Sequence, residues 1–140
     1  MEIVKGDALN TNADILLHQV NLQGIMGGGI AYQIAKTYPN VEKEYKSYKN
    51  KELGNVLFVK TEKYVIGNCF SQKYNFDTDY EALKKCLYKV VEYMKKNNFK
   101  SVAIPYKYGC GIANGDWNIV EKIFDTIITE NGFKLTAYRL

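Results

Sequence analysis

The sequence is poor in the residues that build metal centres and disulfide frameworks. Among its 140 residues there is one histidine, and there are three cysteines. A lone histidine without any Cys-x-x-Cys pair leaves no zinc-ligand pattern, so no metal site is expected. Cys69, Cys86 and Cys110 are odd in number and scattered in spacing. That argues against disulfides and for a reducing compartment. No run of 18 apolar residues occurs, so no membrane partner is expected. The opening stretch MEIVKGDALN has no apolar signal-peptide core, which points to a cytoplasmic protein. No Gly-Lys-Ser/Thr follows a glycine loop, which excludes a Walker-type phosphate loop. Linkers, repeats and low-complexity segments are missing too. A single domain over residues 1–140 is expected, with a monomer as the default.

What is present suits a cored α/β chain. Hydrophobic residues make up 46% and charged residues 24%, enough to bury a real core. The net charge of +4 suits an anionic ligand without demanding nucleic acid. Lysines cluster at Lys46, Lys49 and Lys51 and at Lys84, Lys85, Lys95 and Lys96. They fall on polar helix faces and read as solvated surface, so nucleic acid is not an expected partner.

The elements alternate. Ile3 and Val4 form a short first strand closed by Gly6-Asp7, and ADILLHQV (13–20) reads as a buried strand. Ile30, Ala31, Ile34 and Ala35 give a helical face stopped by Pro39-Asn40, and a second helix carries Val41, Tyr45 and Tyr48. Residues 55–60 and 63–70 read as a hairpin turned at Thr61-Glu62. The clearest helix spans 78–97, with Tyr80, Leu83, Leu87, Val90, Val91 and Met94 at helical spacing and Thr78 and Glu81 as a capping box. SVAIP (101–105) is a strand. Trp117, Val120, Phe124, Ile127 and Ile128 line a last helix capped by Asp116, and 134–140 closes as a strand. This alternation implies a mostly parallel sheet between helical layers.

In such sheets ligands bind beyond the carboxyl ends of the strands. Two glycine-rich segments stand there. GIMGGGIAYQIAK (24–36) follows one strand and YKYGCGIANG (106–115) follows another. Each runs into a helix, whose first N–H groups are unpaired and suit phosphate oxygens. Glycines let those oxygens approach the backbone. Side by side, the two loops suit a diphosphate; taken singly, each is also an ordinary tight turn. No acid follows the glycines of 109–115 on a next strand, so a dinucleotide dehydrogenase is not expected.

In chain order, VKGDALNTNADILLHQVN, MGGGIAYQIAKTYP, IPYKYGCGIANGDW and LTAYRL resemble the macrodomain family. The resemblance covers essentially the whole chain and rests on four separated motifs. It implies a three-layer α/β/α sandwich with a six-stranded mixed sheet, and binding of ADP-ribose or ADP-ribose 1''-phosphate without a cofactor. LLHQVNLQGIMGGGIAYQIAKTYPNVEKEY is most similar to the small fungal and phage-type ADP-ribose 1''-phosphate phosphatases. It is also similar to the branch that strips ADP-ribose from acidic side chains or DNA bases. Matched residue by residue, Asp7, with Ala8 beside it, is implied to accept the adenine amino group, as an acceptor-only carboxylate can. A turn or cap role after Gly6 is its plain alternative. Asn21 is implied beside the distal ribose, and Gly27, Gly28, Gly29 and Ile30 around that ribose and its phosphate. Tyr108, Gly109, Cys110, Gly111 and Ile112 are implied across the diphosphate. Tyr138 either packs on adenine or is a half-buried strand residue.

The resemblance also implies chemistry. A histidine matching His18 suggests a general acid or base, or a nucleophile toward phosphorus, where a lone strand histidine otherwise reads as a bonded core residue. Asp77 is its expected partner, with Asp79 and Asp116 as alternatives. Cys110 lies near a helix start, an environment that lowers a thiol pKa. No arginine accompanies it, so it reads as a small spacer. Two groups of the ADP-ribose-stripping branch are missing. Ser71 or Gln72 stands at its lysine and Ala113 at its aspartate, and Lys73 is one or two positions off. That points to phosphate-monoester hydrolysis or to binding alone. Without a ligand cluster for metal, phosphate release from ADP-ribose 1''-phosphate is expected to survive EDTA, which a phosphate assay with and without chelator checks.

Overall fold

Apolar runs without alternation build the centre of the protein. Ile15, Leu16 and Leu17 are all fully buried, as are Ile66, Cys69 and Phe70. A strand buried on both faces belongs inside a parallel sheet covered by helices. The computed structural model describes residues 1–73, 77–111 and 113–140. Its strands are β1 (Glu2–Lys5), β2 (Ile15–Asn21), β3 (Val56–Lys60), β4 (Val65–Gln72), β5 (Ser101–Pro105) and β6 (Lys134–Arg139). They form one six-stranded sheet in the order β1-β6-β5-β2-β4-β3. All neighbours are parallel except β3 and β4, which are antiparallel. This is the mixed sheet that the resemblance implied.

Helices cover both faces. α1 (Gly29–Thr37) and α2 (Pro39–Ser47) pack on Leu16, Val20, Ile66 and Phe70. α3 (Tyr80–Lys96) and α4 (Trp117–Ile127) pack on Ile15, Leu17, Val102 and Ile104. Successive β2 residues therefore serve opposite layers, as strand pleating requires. Among the described residues, no helix is long and apolar enough to cross a membrane.

Element types agree with the sequence reading, and boundaries move for identifiable reasons. β2 begins at Ile15 because Asp14 turns away to hold the start of β5. Its Oδ2 accepts from the N–H of Lys100 at 2.7 Å and of Ser101 at 3.2 Å. The hairpin turn is longer than Thr61-Glu62, because the Thr61 hydroxyl and N–H both donate to the Tyr64 carbonyl, at 2.6 and 3.0 Å. The expected Thr78–Glu81 capping box does not form. Asp79 caps α3 instead, its carboxylate accepting from the Ala82 N–H at 3.0 Å. A carboxylate at the helix start also complements the helix dipole, and it stands one residue closer to the first turn.

Gly67 on β4 lies beneath the Leu17 side chain. An added Cβ would sit 2.5 Å from Leu17 Cδ2, with Ile15 Cδ1 at 3.5 Å and Phe58 Cε1 at 3.7 Å. Leu17 is fully buried, so its side chain can yield only by repacking the core around it. Gly67→Ala is therefore expected to destabilise the fold by about 1–3 kcal/mol, as overpacked core sites do. Urea denaturation measures this, and an unchanged midpoint would show that Leu17 steps aside freely.

Candidate functional site

The parallel arrangement brings the carboxyl ends of β1, β2, β4, β5 and β6 to one edge of the sheet. The segments leaving those ends enclose a cleft of about 1020 Å³. Asp7 and Ala8 line it after β1, and Tyr138 lines it from β6. Asp7 Oδ1 accepts from the Leu9 N–H at 3.0 Å and so caps the short 3-10 helix Ala8–Asn10. The same exposed residue thus both caps a turn and faces the cleft. The Tyr138 hydroxyl pairs with the Thr11 hydroxyl at 2.8 Å, which fixes a half-buried ring at the cleft wall.

The loop after β2 is organised by Asn21. Its Oδ1 accepts from the Gln23 N–H at 3.0 Å, and its Nδ2 donates to the Ile25 carbonyl at 3.0 Å. The hydroxyl of the fully buried Tyr45 donates to the Asn21 carbonyl and Oδ1, at 2.7 and 2.6 Å. Burial pushes that phenol up to about 12, so it remains a donor. The role of Tyr45 as a loop anchor is absent from the sequence reading, because its helical spacing signalled only core. The loop then delivers Gly27, Gly28 and Gly29 to the cleft. Gly28 precedes α1 without a side-chain cap, and a Cβ placed on it would meet nothing within 4 Å. Gly29 has φ +56°, a left-handed conformation that favours glycine. The first intrahelical bond is Tyr32 N–H to the Gly28 carbonyl, at 3.3 Å. The N–H groups of Gly29, Ile30 and Ala31 therefore have no carbonyl ahead of them, and they open the positive end of α1 to the cleft.

The loop after β5 faces it. Gly109 has φ +70°, and its carbonyl accepts from the Gly115 N–H at 2.9 Å. No described acceptor takes up the N–H groups of Gly109, Gly111 and Ala113, all of which line the cleft. Tyr108 is fully buried beneath them, edge-on to Phe124 with ring centroids 5.0 Å apart. Cys110 departs from the expected lowered pKa. Burial, helped by Asp116, pushes its thiol up to about 11, and the thiol donates to the Tyr108 carbonyl at 3.2 Å. A thiol held protonated in this way gives no support to an activated nucleophile, and Cys110 is not among the described residues that line the cleft. Ile112, expected in this loop, lies outside the described residues.

His18 and Asp77 do not line the cleft. His18 is fully buried on the Leu16 and Val20 side of β2. Its Nε2 lies 2.6 Å from Asn68 Oδ1, while Asn68 Nδ2 donates to the Leu57 carbonyl at 2.9 Å. That arrangement puts the imidazole proton on Nε2 and leaves Nδ1 without a described partner. Burial lowers the pKa to about 4, against a smaller upward pull from Asn68. A neutral ring at this depth touches nothing in the cleft, so direct proton transfer or attack by His18 has no geometric support. Asp77 is exposed, and its carbonyl accepts from the Lys73 N–H at 2.8 Å. Asp79 and Asp116 are occupied as helix caps. Lys73 pairs with Asp79 at 3.6 Å and is also outside the lining. Of the two candidates for the lysine position, Gln72 lines the cleft and Ser71 is buried behind it. Next to Asn21 in the sheet, the lining side chains Gln19 and Gln72 are neutral; the charged lining side chains are Asp7, Lys107 and Arg139. Among the described residues, no group of three or more His, Cys, Asp or Glu is placed to hold a metal ion.

Comparison with known proteins agrees with this geometry. A family model described as Macro domain matches residues 17–124. ADP-ribose glycohydrolase OARD1 of Bos taurus is 26% identical, over 98% of this chain and 90% of that protein. ADP-ribose 1''-phosphate phosphatase of Saccharomyces cerevisiae is 46% identical over 56 residues, 39% of this chain and 32% of that protein. The solved macrodomain of Mycobacterium tuberculosis DarG superposes with a TM-score of 0.89 at 24% identity, covering 99% of this chain and 97% of that one, which establishes the shared fold.

The depth of His18 has a consequence for stability. Its folded pKa of about 4 lies below the ordinary 6.5, so between those values the unfolded chain binds a proton that the folded chain excludes. Its contribution is intact above pH 6.5 and is lost as pH falls toward 4. His18→Gln keeps a donor toward Asn68 but does not titrate. The thermal midpoint of the wild type is expected to fall by several degrees more than that of His18→Gln between pH 7 and pH 5. Parallel slopes would show that His18 is not the responsible group.

Proposed function

This chain belongs to the macrodomain family, and from that premise we propose that its cleft binds ADP-ribose and hydrolyses ADP-ribose 1''-phosphate to ADP-ribose and phosphate. The observation that carries this reading is the opposition, across one cleft, of two sets of backbone donors that meet no acceptor among the described residues. The uncapped start of α1 stands on one side, and the N–H groups of Gly109, Gly111 and Ala113 on the other. Such N–H groups donate to phosphate oxygens, and Lys107 and Arg139 add positive charge to the lining. Asp7 takes the adenine amino group and Tyr138 packs on the base. The second loop spans the diphosphate, and Asn21 keeps one amide hydrogen for the distal ribose. The terminal phosphate then falls at Gly27–Ile30.

Hydrolysis there transfers the phosphoryl group to water. A bond forms between water oxygen and phosphorus and the bond from phosphorus to the 1'' oxygen breaks; one water proton passes to that 1'' oxygen as ADP-ribose leaves, and the other stays on the inorganic phosphate. The protein contributes position and fixed dipoles, which stabilise charge on the transferring group. His18 holds β2 behind the site. The yeast relative carries this activity in its name, and it matches 56 residues of this chain at 46% identity. Removal of ADP-ribose from protein or nucleic acid is less well supported, because Gln72 and Ala113 stand where that branch has lysine and aspartate. Binding without turnover is the second reading, favoured by the absence of an ionisable side chain among the described lining residues near Asn21. We further infer that residues 1–140 act as one domain and as a monomer.

Gly28 tests the site. Its extended φ of −154° and the open space around it allow any side chain to fold. Gly28→Glu puts a carboxylate where the anion sits. ADP-ribose affinity by calorimetry is expected to fall roughly 100-fold or more, about 3 kcal/mol, with the thermal midpoint unchanged. Equal affinity would return this stretch to an ordinary turn. Wild-type protein is expected to release phosphate from ADP-ribose 1''-phosphate. Tight binding with no release would select the second reading.

A further inference from the structure

Four side chains close a hydrogen-bonded circuit behind the second loop. Thr78 Oγ1 lies 2.6 Å from the Gly109 carbonyl, to which it must donate. It therefore accepts from Gln19 Nε2, at 3.1 Å. Gln19 Oε1 accepts from the Ser71 hydroxyl at 2.8 Å, and Ser71 in turn accepts from the Tyr108 hydroxyl at 2.8 Å. Burial pushes the Tyr108 phenol well up, which keeps it a donor. The circuit leaves the chain at the Tyr108 side chain and returns at the carbonyl of the next residue. With Ser71 donating to Gln19, the protons run in one direction from Tyr108 to the Gly109 carbonyl; the Cys69 carbonyl, 3.5 Å from Ser71 Oγ, is a longer second acceptor.

Thr78 is the only described member that grips the loop twice. Its own N–H donates to the Ala113 carbonyl at 2.9 Å. Its backbone is anchored to the sheet by a bridge to Gln72, and the next residue donates to the Ser71 carbonyl at 2.8 Å. Space at the grip is minimal. A Cβ on Gly109 would lie 2.9 Å from Thr78 Oγ1 and 3.1 Å from Gln19 Oε1. Thr78 itself does not line the cleft. Two carbonyl oxygens that would repel an anion are thus turned toward Thr78 and satisfied there.

We propose that Thr78 is a positioning residue that sets the conformation of the loop after β5 and, through it, the affinity of the cleft for its anionic ligand. The second half of this statement rests on the ADP-ribose reading above. The first half does not, and the two are separable by experiment. Amide hydrogen exchange of the ligand-free full chain reads the loop directly. In Thr78→Val, which keeps the shape and loses the hydroxyl, exchange of the Gly115 and Cys110 N–H groups is expected to rise at least about tenfold. ADP-ribose affinity is expected to fall about tenfold, while exchange in β2 and β4 stays unchanged. Thr78→Ser keeps the hydroxyl and should restore both values. Ser71→Ala opens the circuit at the Tyr108 side chain, away from the Gly109 and Ala113 carbonyls that Thr78 holds, and should raise the same two exchange rates. Unchanged loop exchange in Thr78→Val overturns the proposal, as does faster exchange with unaltered affinity. A wild-type protein that binds no ADP-ribose would reject the functional reading, and loop exchange would still decide the clamp.

Discussion

The structure depends on the burial of β2 on both faces. Ile15 and Leu17 enter one apolar layer and Leu16 and Val20 the other. Each buried aliphatic side chain contributes on the order of 1.5–3 kcal/mol, and the strand can release none of them without opening both layers. A strand so placed needs parallel neighbours and helical covers. Parallel neighbours send the following segments off the same edge of the sheet. The cleft is the geometric result of that constraint. It exists because five strand ends have one place to turn.

On that edge the division of labour between backbone and side chain is unusual. In the reading proposed above, the groups that would face an anion are mostly peptide N–H groups of glycines and of a helix start. The polar side chains mainly hold those peptides still. Asn21, anchored by Tyr45, shapes the loop before α1. Thr78, backed by Gln19, Ser71 and Tyr108, shapes the loop before α4. His18 and Asn68 serve the strand beneath, each bonded but out of reach of the cleft. A site of this kind binds through preorganised dipoles, which do not reorient when charge develops on a phosphoryl group. Among the described lining residues near Asn21 it has no titrating side chain.

Local patterns in the sequence determined most of the architecture. The unbroken run ILLHQV marked a doubly buried strand, helical spacing from Tyr80 to Met94 marked α3, and two glycine clusters after strands marked the loops. These signals are short-range, so they survive without knowledge of neighbours. What only the tertiary structure decided was the use of each polar residue. Thr78 fitted a capping box by spacing, but Asp79 took the helix start while the Gly109 carbonyl drew the Thr78 hydroxyl across the fold. The resemblance implied chemistry for His18, yet its depth follows from the layers packed on both sides of β2. Cys110 lay near a helix start, yet burial and Asp116 raised its thiol. Each of these properties depends on what lies opposite in space, through desolvation and hydrogen-bond partners, and spacing along the chain carries no record of that.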